Sequence, residues 1–498
     1  MLPKFLIRGI FYVLVGWYAL WINPFGIYDK SDLATQDAVY RLIAPFYDSA
    51  ARDNILVILL TEDAIRDLYD WQVIAANEWP IRYADHGYLL GRIMAFKPRA
   101  VFVDVYFRQE RSTDDSFRRM QAVLERFSKH YPVSLYFAGN FPGMSNSPIQ
   151  KRLMEVGTLT INGWDGFGRA YPLKIGDAFT SAYLLYREAC LGSEPYYSCH
   201  KKRLHEVSVK SGHALSIYWG SREPRPLFPE YRHRQTPCIG SEGVGWTLWG
   251  MARNLWHGLL GNMAETRERC VYHQTLFANE LIGILKQGSP QQKTRLKKVI
   301  QDRIVFYGVA LDGLHDVVST PVHGQLPGIY LHAMALDNLI SLGGNYIHAS
   351  DDFIEYLSMG LWAGLALTFA WSVCRLEQRA PETYAKSAKT NPCAVSFEML
   401  RHPVRWLRES SRSHPKTTLF LLGSLVVVLI CGMLFVVLHY EPVNSVAFIG
   451  LLGTIALVRD SRLETAFVER FQCLQKWVRK VFGFRRRVDV RDDGESEL

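Results

Sequence analysis

Four stretches of the chain carry almost no polar side chain. Residues 5–22 are apolar apart from Arg8, residues 353–374 hold one charge, Glu355, near an end, and residues 419–438 hold none. Residues 442–458 form a shorter apolar run of 17. A bilayer core of about 30 Å takes about 20 helical residues. The first three therefore read as transmembrane helices, and the fourth as a helix that either spans or is buried in a core. The first run has a basic start, Lys4 and Arg8, but its exit at 17–24 (WYALWINP) offers no small-x-small cleavage site, so it is expected to stay as an uncleaved anchor.

Between residues 24 and 352 the pattern changes. Short apolar runs rich in β-branched and aromatic residues occur at 54–60 (NILVILL), 100–105 (AVFVDV), 133–138 (VSLYFA) and 303–309 (RIVFYGV). Such runs suit strands buried on both faces. Helical periodicity separates them at 84–95 and 116–127, the latter with Phe117, Met120, Val123, Leu124 and Phe127 on one face. Alternation of this kind predicts an α/β ectodomain, a mostly parallel sheet covered by helices, with about four transmembrane helices added. The segments are an anchor (1–23), an external domain (24–352), spans at 353–374, 419–438 and 442–458, a connector (375–418) and a tail (459–498). Residues 190–240, rich in Tyr, Pro, Arg and Cys, read as an insertion or loop-rich subdomain.

Charge then orients the chain. The net charge of +9 is concentrated: the connector holds nine basic side chains against four acidic, and the tail ten against eight. By the positive-inside rule these segments and the N-terminus are cytoplasmic and the large domain is outside. The composition, 48% hydrophobic and 21% charged over 498 residues, excludes a disordered chain. A mean hydropathy of −0.03 excludes one that is mostly embedded. The external domain has four cysteines, Cys190, Cys199, Cys238 and Cys270, in a space that permits disulfides. They allow three pairings. Cys190–Cys199 would close a short loop and leave Cys238–Cys270; four free buried thiols are the competing reading. No cysteine spacing supports a zinc site, and no metal or cofactor is implied.

Ligands of parallel sheets bind beyond the carboxyl ends of the strands. The residues there are Glu62 and Asp63, Asp104 with Tyr106, Asn140, and Asp312, His315 and Asp316. They form either an acidic ligand-binding rim or a set of turn residues and helix caps.

Several segments resemble one family. Trp79-Pro80-Ile81-Arg82 followed by His86 is similar to its WP-x-R…H segment, and residues 100–107 (AVFVDVYF) to its second strand. Residues 157–169 (GTLTINGWDGFGR) resemble its G…D-G-x-x-R element through Asp165, Gly166 and Arg169, with Tyr171-Pro172-Leu173 following. Residues 316–333 (DVVSTPVHGQLPGIYLHA) resemble D-x-x-x-TP…PG-x-x-x-HA, through Thr320, Pro321, Pro327, Gly328 and His332. The family is the CHASE type-2 sensor domain of bacterial histidine kinases, cyclases and serine/threonine kinases. The resemblance covers residues 30–345 and the three spans after them. It implies an extracytoplasmic sensory role in a multi-pass protein of the bacterial inner membrane, with a periplasmic domain.

Only about 40 residues follow the last span, too few for a kinase or cyclase domain, and a phosphate loop, a GxSxG elbow and an HExxH are missing. The expectation is therefore a non-enzymatic receptor subunit that signals through a separate cytoplasmic or membrane partner. The alternative is a scaffolding subunit of an envelope complex. In the tail, Phe467, Phe471 and Leu474 share a helical face flanked by Arg479 and Lys480. That face suits anionic lipid, a partner's groove or a plain topogenic stop. Gly360 and Gly364 offer a small-xxx-small face for packing against a neighbour or a second copy. The bilayer accounts for the basic charge, which disfavours nucleic acid as a partner.

Overall fold

A computed structural model describes residues 4–23, 26–47, 49–108, 111, 113–131, 133–140, 144–161, 168–201, 214–222, 224, 227–228, 271–313, 316–349, 352–379, 415–442, 444 and 448–452. Two compact units emerge. One comprises Leu33–Asp351 with Met433–Val443, and the other comprises Met1–Asp32, Asp352–Gly432 and Asn444–Leu498.

The strands of the first unit are, in chain order, β1 (Ile55–Thr61), β2 (Ala100–Asp104), β3 (Ser134–Phe137), β4 (Thr158–Leu159), β5 (Ala170–Pro172), β6 (Lys174–Ile175), β7 (Ala178–Phe179), β8 (Ala214–Ser216), β9 (Gln274–Phe277), β10 (Ile304–Ala310), β11 (Val317–Thr320) and β12 (Gly324–Pro327). Six of them pair in the order β4-β3-β2-β10-β1-β9, every pair parallel. The others form the antiparallel pairs β5–β8, β6–β7 and β11–β12.

Alternate residues of each strand enter different cores. Ile55, Val57 and Leu59 of β1 join Phe102, Phe306 and the helices Ser181–Tyr186 and Ile329–Leu342. Leu56, Ile58 and Leu60 join Val101, Val103, Tyr307 and six other helices: Glu62–Asp70, Tyr83–Met94, Phe117–His130, Pro148–Leu153, Ala278–Gln287 and Pro290–Ile300. With helices on both faces the central strands are buried except at a terminal residue, which is why they read as unbroken apolar runs. The four runs expected from the sequence are the four central strands to within one or two residues at each end. The edge strands β4 and β9, two and four residues long, left no such signal.

The described part of 190–240 is not a separate subdomain. Tyr196, Leu215, Ile217 and Trp219 are buried in the same core as Phe102 and Phe306. Cys190 and Cys199 form a disulfide. Inside that loop Tyr196 donates to the Asp302 carbonyl at 2.5 Å and lies under the Arg99 guanidinium, 4.0 Å from its ring centre. The closed loop thus braces the amino-terminal ends of β2 and β10. Cys238 and Cys270 lie outside the described residues.

The second unit contains the helix Lys4–Trp17, which continues as the wider turn Tyr18–Ile22, and the helix Asp352–Arg379. The helix Pro415–Leu438 runs across the boundary between the units. Among the described residues one helix, Phe5–Ile22, is long and apolar enough to cross a membrane, with a mean hydropathy of 1.7; Leu422–Phe435 is a shorter apolar stretch. Gly9 and Gly16 let the first helix approach Asp352–Arg379: a Cβ at Gly16 would fall 1.5 Å from Trp362 Nε1, and one at Gly9 2.5 Å from Leu367 Cδ2. Gly360 and Gly364, expected to pack against a neighbour, have among the described residues no atom within 4 Å of where a Cβ would stand. They line an open apolar groove of about 590 Å³ with Leu422, Val426 and Leu452.

Candidate functional site

Asp104 is the last residue of β2 and pairs in register with Gly308 of β10. Strand alternation puts it on the face of Ala100 and Phe102, toward the helix Ile329–Leu342. Gly308 permits that helix to sit close, since a Cβ there would lie 2.6 Å from Ile329 Cδ1. The first turn of the helix then brings His332 Nε2 to 3.9 Å from Asp104 Oδ1. On the other side of the ring, Nδ1 is held by the Tyr171 hydroxyl at 2.8 Å and Ser181 Oγ at 3.0 Å. Where either hydroxyl donates to Nδ1, the neutral ring carries its proton on Nε2, the nitrogen that faces Asp104.

Asp316 follows β10 and joins this group through Gly328. Its carbonyl accepts from Gly328 N at 3.0 Å, and a Cβ at Gly328 would stand 2.3 Å from its Oδ1. The Pro327-Gly328 motif is thus a close fit of backbone against carboxylate. Asp104 and His332 are 14% and 10% exposed at their side chains, and among the described residues no donor reaches either carboxylate within hydrogen-bond distance. Burial raises the Asp104 carboxyl well above its ordinary range. Burial also raises Asp316, the Asp104 charge adds to the rise, and His332 opposes it. Burial pulls His332 down to about 4 against the attraction of Asp316. The arrangement is two sheltered carboxyls with raised proton affinity and a neutral imidazole at the carboxyl edge of the sheet.

Of the rest of the expected rim, Asp312 shares one cavity with Asp316 and another with Glu62, while Asp63, Tyr106 and Asn140 stand apart. Glu62 and Asp63 occupy the first turn of the helix Glu62–Asp70, capped by Thr61 Oγ1, which accepts from Ala64 N. Asp63 is exposed beside Arg66. Glu62, Trp79 and Asp312 line one cavity of about 480 Å³. Asp312, Asp316 and Gln325 line another of about 180 Å³. Tyr106 is exposed and donates to Asn140 Oδ1, which belongs to an amide pair with Gln150. His315 lies outside the described residues. Strand parity and helix capping, invisible in a string of acids, divide the rim. Among the described residues no three His, Cys, Asp or Glu side chains are grouped to hold a metal ion.

The family-like motifs separate in the same way. Trp79-Pro80 is a cis peptide, Arg82 is the N-cap of the helix Tyr83–Met94, and Arg111 donates to the Pro80 and Ile81 carbonyls. His86 lies in the other core, 3.0 Å from the Tyr307 hydroxyl and ringed by Trp79 and Phe107, where burial depresses it to about 3. That cluster is packing, remote from Asp104 across the sheet.

Gly168 has φ +62°, with no room for a Cβ beside the Ser319 carbonyl, 2.9 Å away. It sets Arg169 to donate twice to Asp37 Oδ1, at 2.8 and 3.2 Å. Asp37 lies on the helix Ile27–Ile43, and Arg41 on the same helix donates through Nε to the Pro321 carbonyl at 2.5 Å. Thr320 Oγ1 accepts from His323 N and closes the turn between β11 and β12. One hairpin therefore carries Asp316 at its base and grips the helix Ile27–Ile43 at its tip. Asp165, Gly166 and the tail residues Phe467, Phe471, Leu474, Arg479 and Lys480 lie outside the described residues. Asp37, Arg41 and Ser181 were not foreseen; the i, i+4 spacing of Asp37 and Arg41 was the available signal. Nor was fully buried Asp337, bonded to Tyr47 and His273, although an acid inside an otherwise apolar helix marks it.

A parallel sheet covered on both faces, with Asp104 and Asp316 at its carboxyl edge and a hairpin leading from Asp316 to the helix Ile27–Ile43, makes this an α/β domain. Residues 11–368 match the family model of the CHASE2 domain, and the chain belongs to that family of extracytoplasmic sensor domains. Comparison with curated proteins and with solved structures gives no match.

Proposed function

We propose that this chain is a multi-pass receptor subunit of the bacterial inner membrane. Its CHASE2 domain senses a periplasmic stimulus and passes the signal, without catalysis of its own, to a separate protein partner. The observation that carries this reading is the β11–β12 hairpin, which begins beside Asp316 and at its turn holds Arg41 of Ile27–Ile43 through the Pro321 carbonyl, a helix that Arg169 also holds through Asp37. That helix begins five residues after the apolar helix Phe5–Ile22 in the chain. A rearrangement of the hairpin is thereby coupled to the polypeptide leaving the bilayer.

Further spans fit the helix lengths. At 1.5 Å per residue, Asp352–Arg379 is about 42 Å long and Pro415–Leu438 about 36 Å, against a hydrocarbon core of about 30 Å. Leu425, Val428, Leu429 and Met433 are exposed on the latter, as lipid-facing side chains would be. Reporter fusions should be active outside the membrane at Lys210 and cytoplasmic at Lys389 and Leu498. Photo-crosslinking from the connector in native membranes should trap a protein partner whose yield changes in an R169A variant. A partner trapped equally with and without Arg169 would instead make the domain a scaffold.

A further inference from the structure

We propose that residues 439–441, the turn that follows the helix Pro415–Leu438, are a docked strand of the sensor domain and its second output; this rests on the sensor reading above. His439 takes φ +55°, a left-handed conformation that histidine adopts more readily than most residues, and it ends the helix. Tyr440 then pairs in parallel with His348. Pro442 follows, with no N–H to prolong the pairing.

The docking is made by backbone, as in strand addition to a sheet edge. His348 N donates to the His439 carbonyl at 2.7 Å, and Glu441 N donates to the His348 carbonyl at 2.9 Å. The neighbours of His348 pair the other way. Ser216 N donates to the Ile347 carbonyl at 2.7 Å, and Ala349 N to the Ala214 carbonyl at 3.0 Å. Residues 347–349 therefore lie between β8 and the turn, and a small sheet runs in the order β5, β8, 347–349, 439–441. The centre of the His348 ring is 4.3 Å from that of Tyr346 and 5.6 Å from that of Tyr440. Glu441 is buried. All of these residues belong to the first unit.

The same sheet is tied to the helix Ile27–Ile43. Arg169, next to β5, holds Asp37, and the Tyr40 hydroxyl is 2.5 Å from Ser216 Oγ of β8. A shift of that helix is thereby carried across the sheet to the turn. In the chain, Ala349 lies three residues before the helix Asp352–Arg379, and His439 directly follows Pro415–Leu438. The clamp at His348 ties the chain entering the one helix to the chain leaving the other. Those two helices flank the connector, which is the segment that the partner reads.

The test uses the full chain in lipid vesicles and compares H348P with H348A. Proline at 348 removes the N–H that reaches the turn and leaves the Ser216 and Ala349 donors in place. It also favours an extended residue before it, as Ile347 is in this pairing. The Glu441 amide should exchange slowly in the wild type and about tenfold faster in H348P. H348A, which keeps the N–H, should retain the wild-type pattern, and Ala349 should stay slow in all three. If H348P frees Ala349 as well, E441P removes the other bond instead, read at the His348 amide. Photo-crosslinking from the connector should change its yield in the proline variant. A wild-type Glu441 amide that exchanges as freely as in a peptide of the same sequence overturns the docked strand, with no variant needed. A yield that changes in R169A but not in the proline variant overturns the second output and spares the sensor reading. A yield indifferent to both ends the two together.

Discussion

Arg169 and Asp37 should be energetically coupled, and the size of the coupling follows from their geometry. Two guanidinium N–H groups donate to one carboxylate oxygen at 2.8 and 3.2 Å, with side chains 16% and 20% exposed. A hydrogen bond to a charged group is worth about 1.5–3 kcal/mol, and partial solvent screening reduces the pair to about 1–2 kcal/mol. Removing either partner leaves the other half-sheltered and unpaired. Arg41, 4.0 Å from Asp37, compensates only weakly. R169A and D37N should each lower the unfolding temperature of the full-length protein by about 2–4 °C, at about 2 °C per kcal/mol for a domain of this size. The double variant should lose much less than the sum, giving a coupling energy of about 1 kcal/mol. Single effects that add to within about 0.3 kcal/mol would refute the Arg169–Asp37 tie and leave the Arg41 bond to the Pro321 carbonyl as the hairpin's hold on Ile27–Ile43.

Other outcomes are checkable in the same preparation. His86 is depressed to about 3, so its contribution to stability is present above the unfolded value near 6.5 and fades as the pH falls toward 3. H86Q should remove about 2 kcal/mol of acid sensitivity at pH 5, seen as a flatter unfolding profile between pH 7 and 5 rather than as an absolute gain. C190S or C199S should cost about 2–4 kcal/mol by thermal unfolding, and non-reducing peptide mapping should find that pair joined in the wild type. G16V places carbon against Trp362 and should cost about 1–3 kcal/mol of packing, so that an engineered G9C–L367C disulfide forms in the wild-type background and fails in the variant.

The four central strands were legible because both of their faces are buried along nearly their whole length, so apolar side chains, many of them β-branched or aromatic, run on without a polar break. The site was legible only in pieces. Asp104, Asp316 and His332 each stood out, but their meeting depends on which face of β2 Asp104 takes and on the absence of a side chain at Gly308 and Gly328. Neither follows from a linear pattern. Glu62 and Asp63 left the group because they open a helix capped by Thr61. Arg169 was flagged by its motif, yet its partner lies 132 residues earlier, and no local periodicity connects them. The close helix approach was sought at Gly360 and Gly364 and occurs at Gly9 and Gly16, because spacing identifies a small face without saying whether anything fills it.

The place of β10 in the sheet has a consequence for biogenesis. Strand order puts it between β2 and β1, although it is synthesised some two hundred residues after β2. Until Ala310 has emerged, β1 and β2 have no common neighbour, and the apolar faces of both lie open. Every chain shorter than that is an unclosed sheet with exposed edges, prone to aggregation. Parallel pairing over such separations also folds slowly. Nonsense or protease products ending before residue 310 should therefore be cleared rather than accumulate as partial domains, and the domain cannot be divided into independently folding halves on either side of β10.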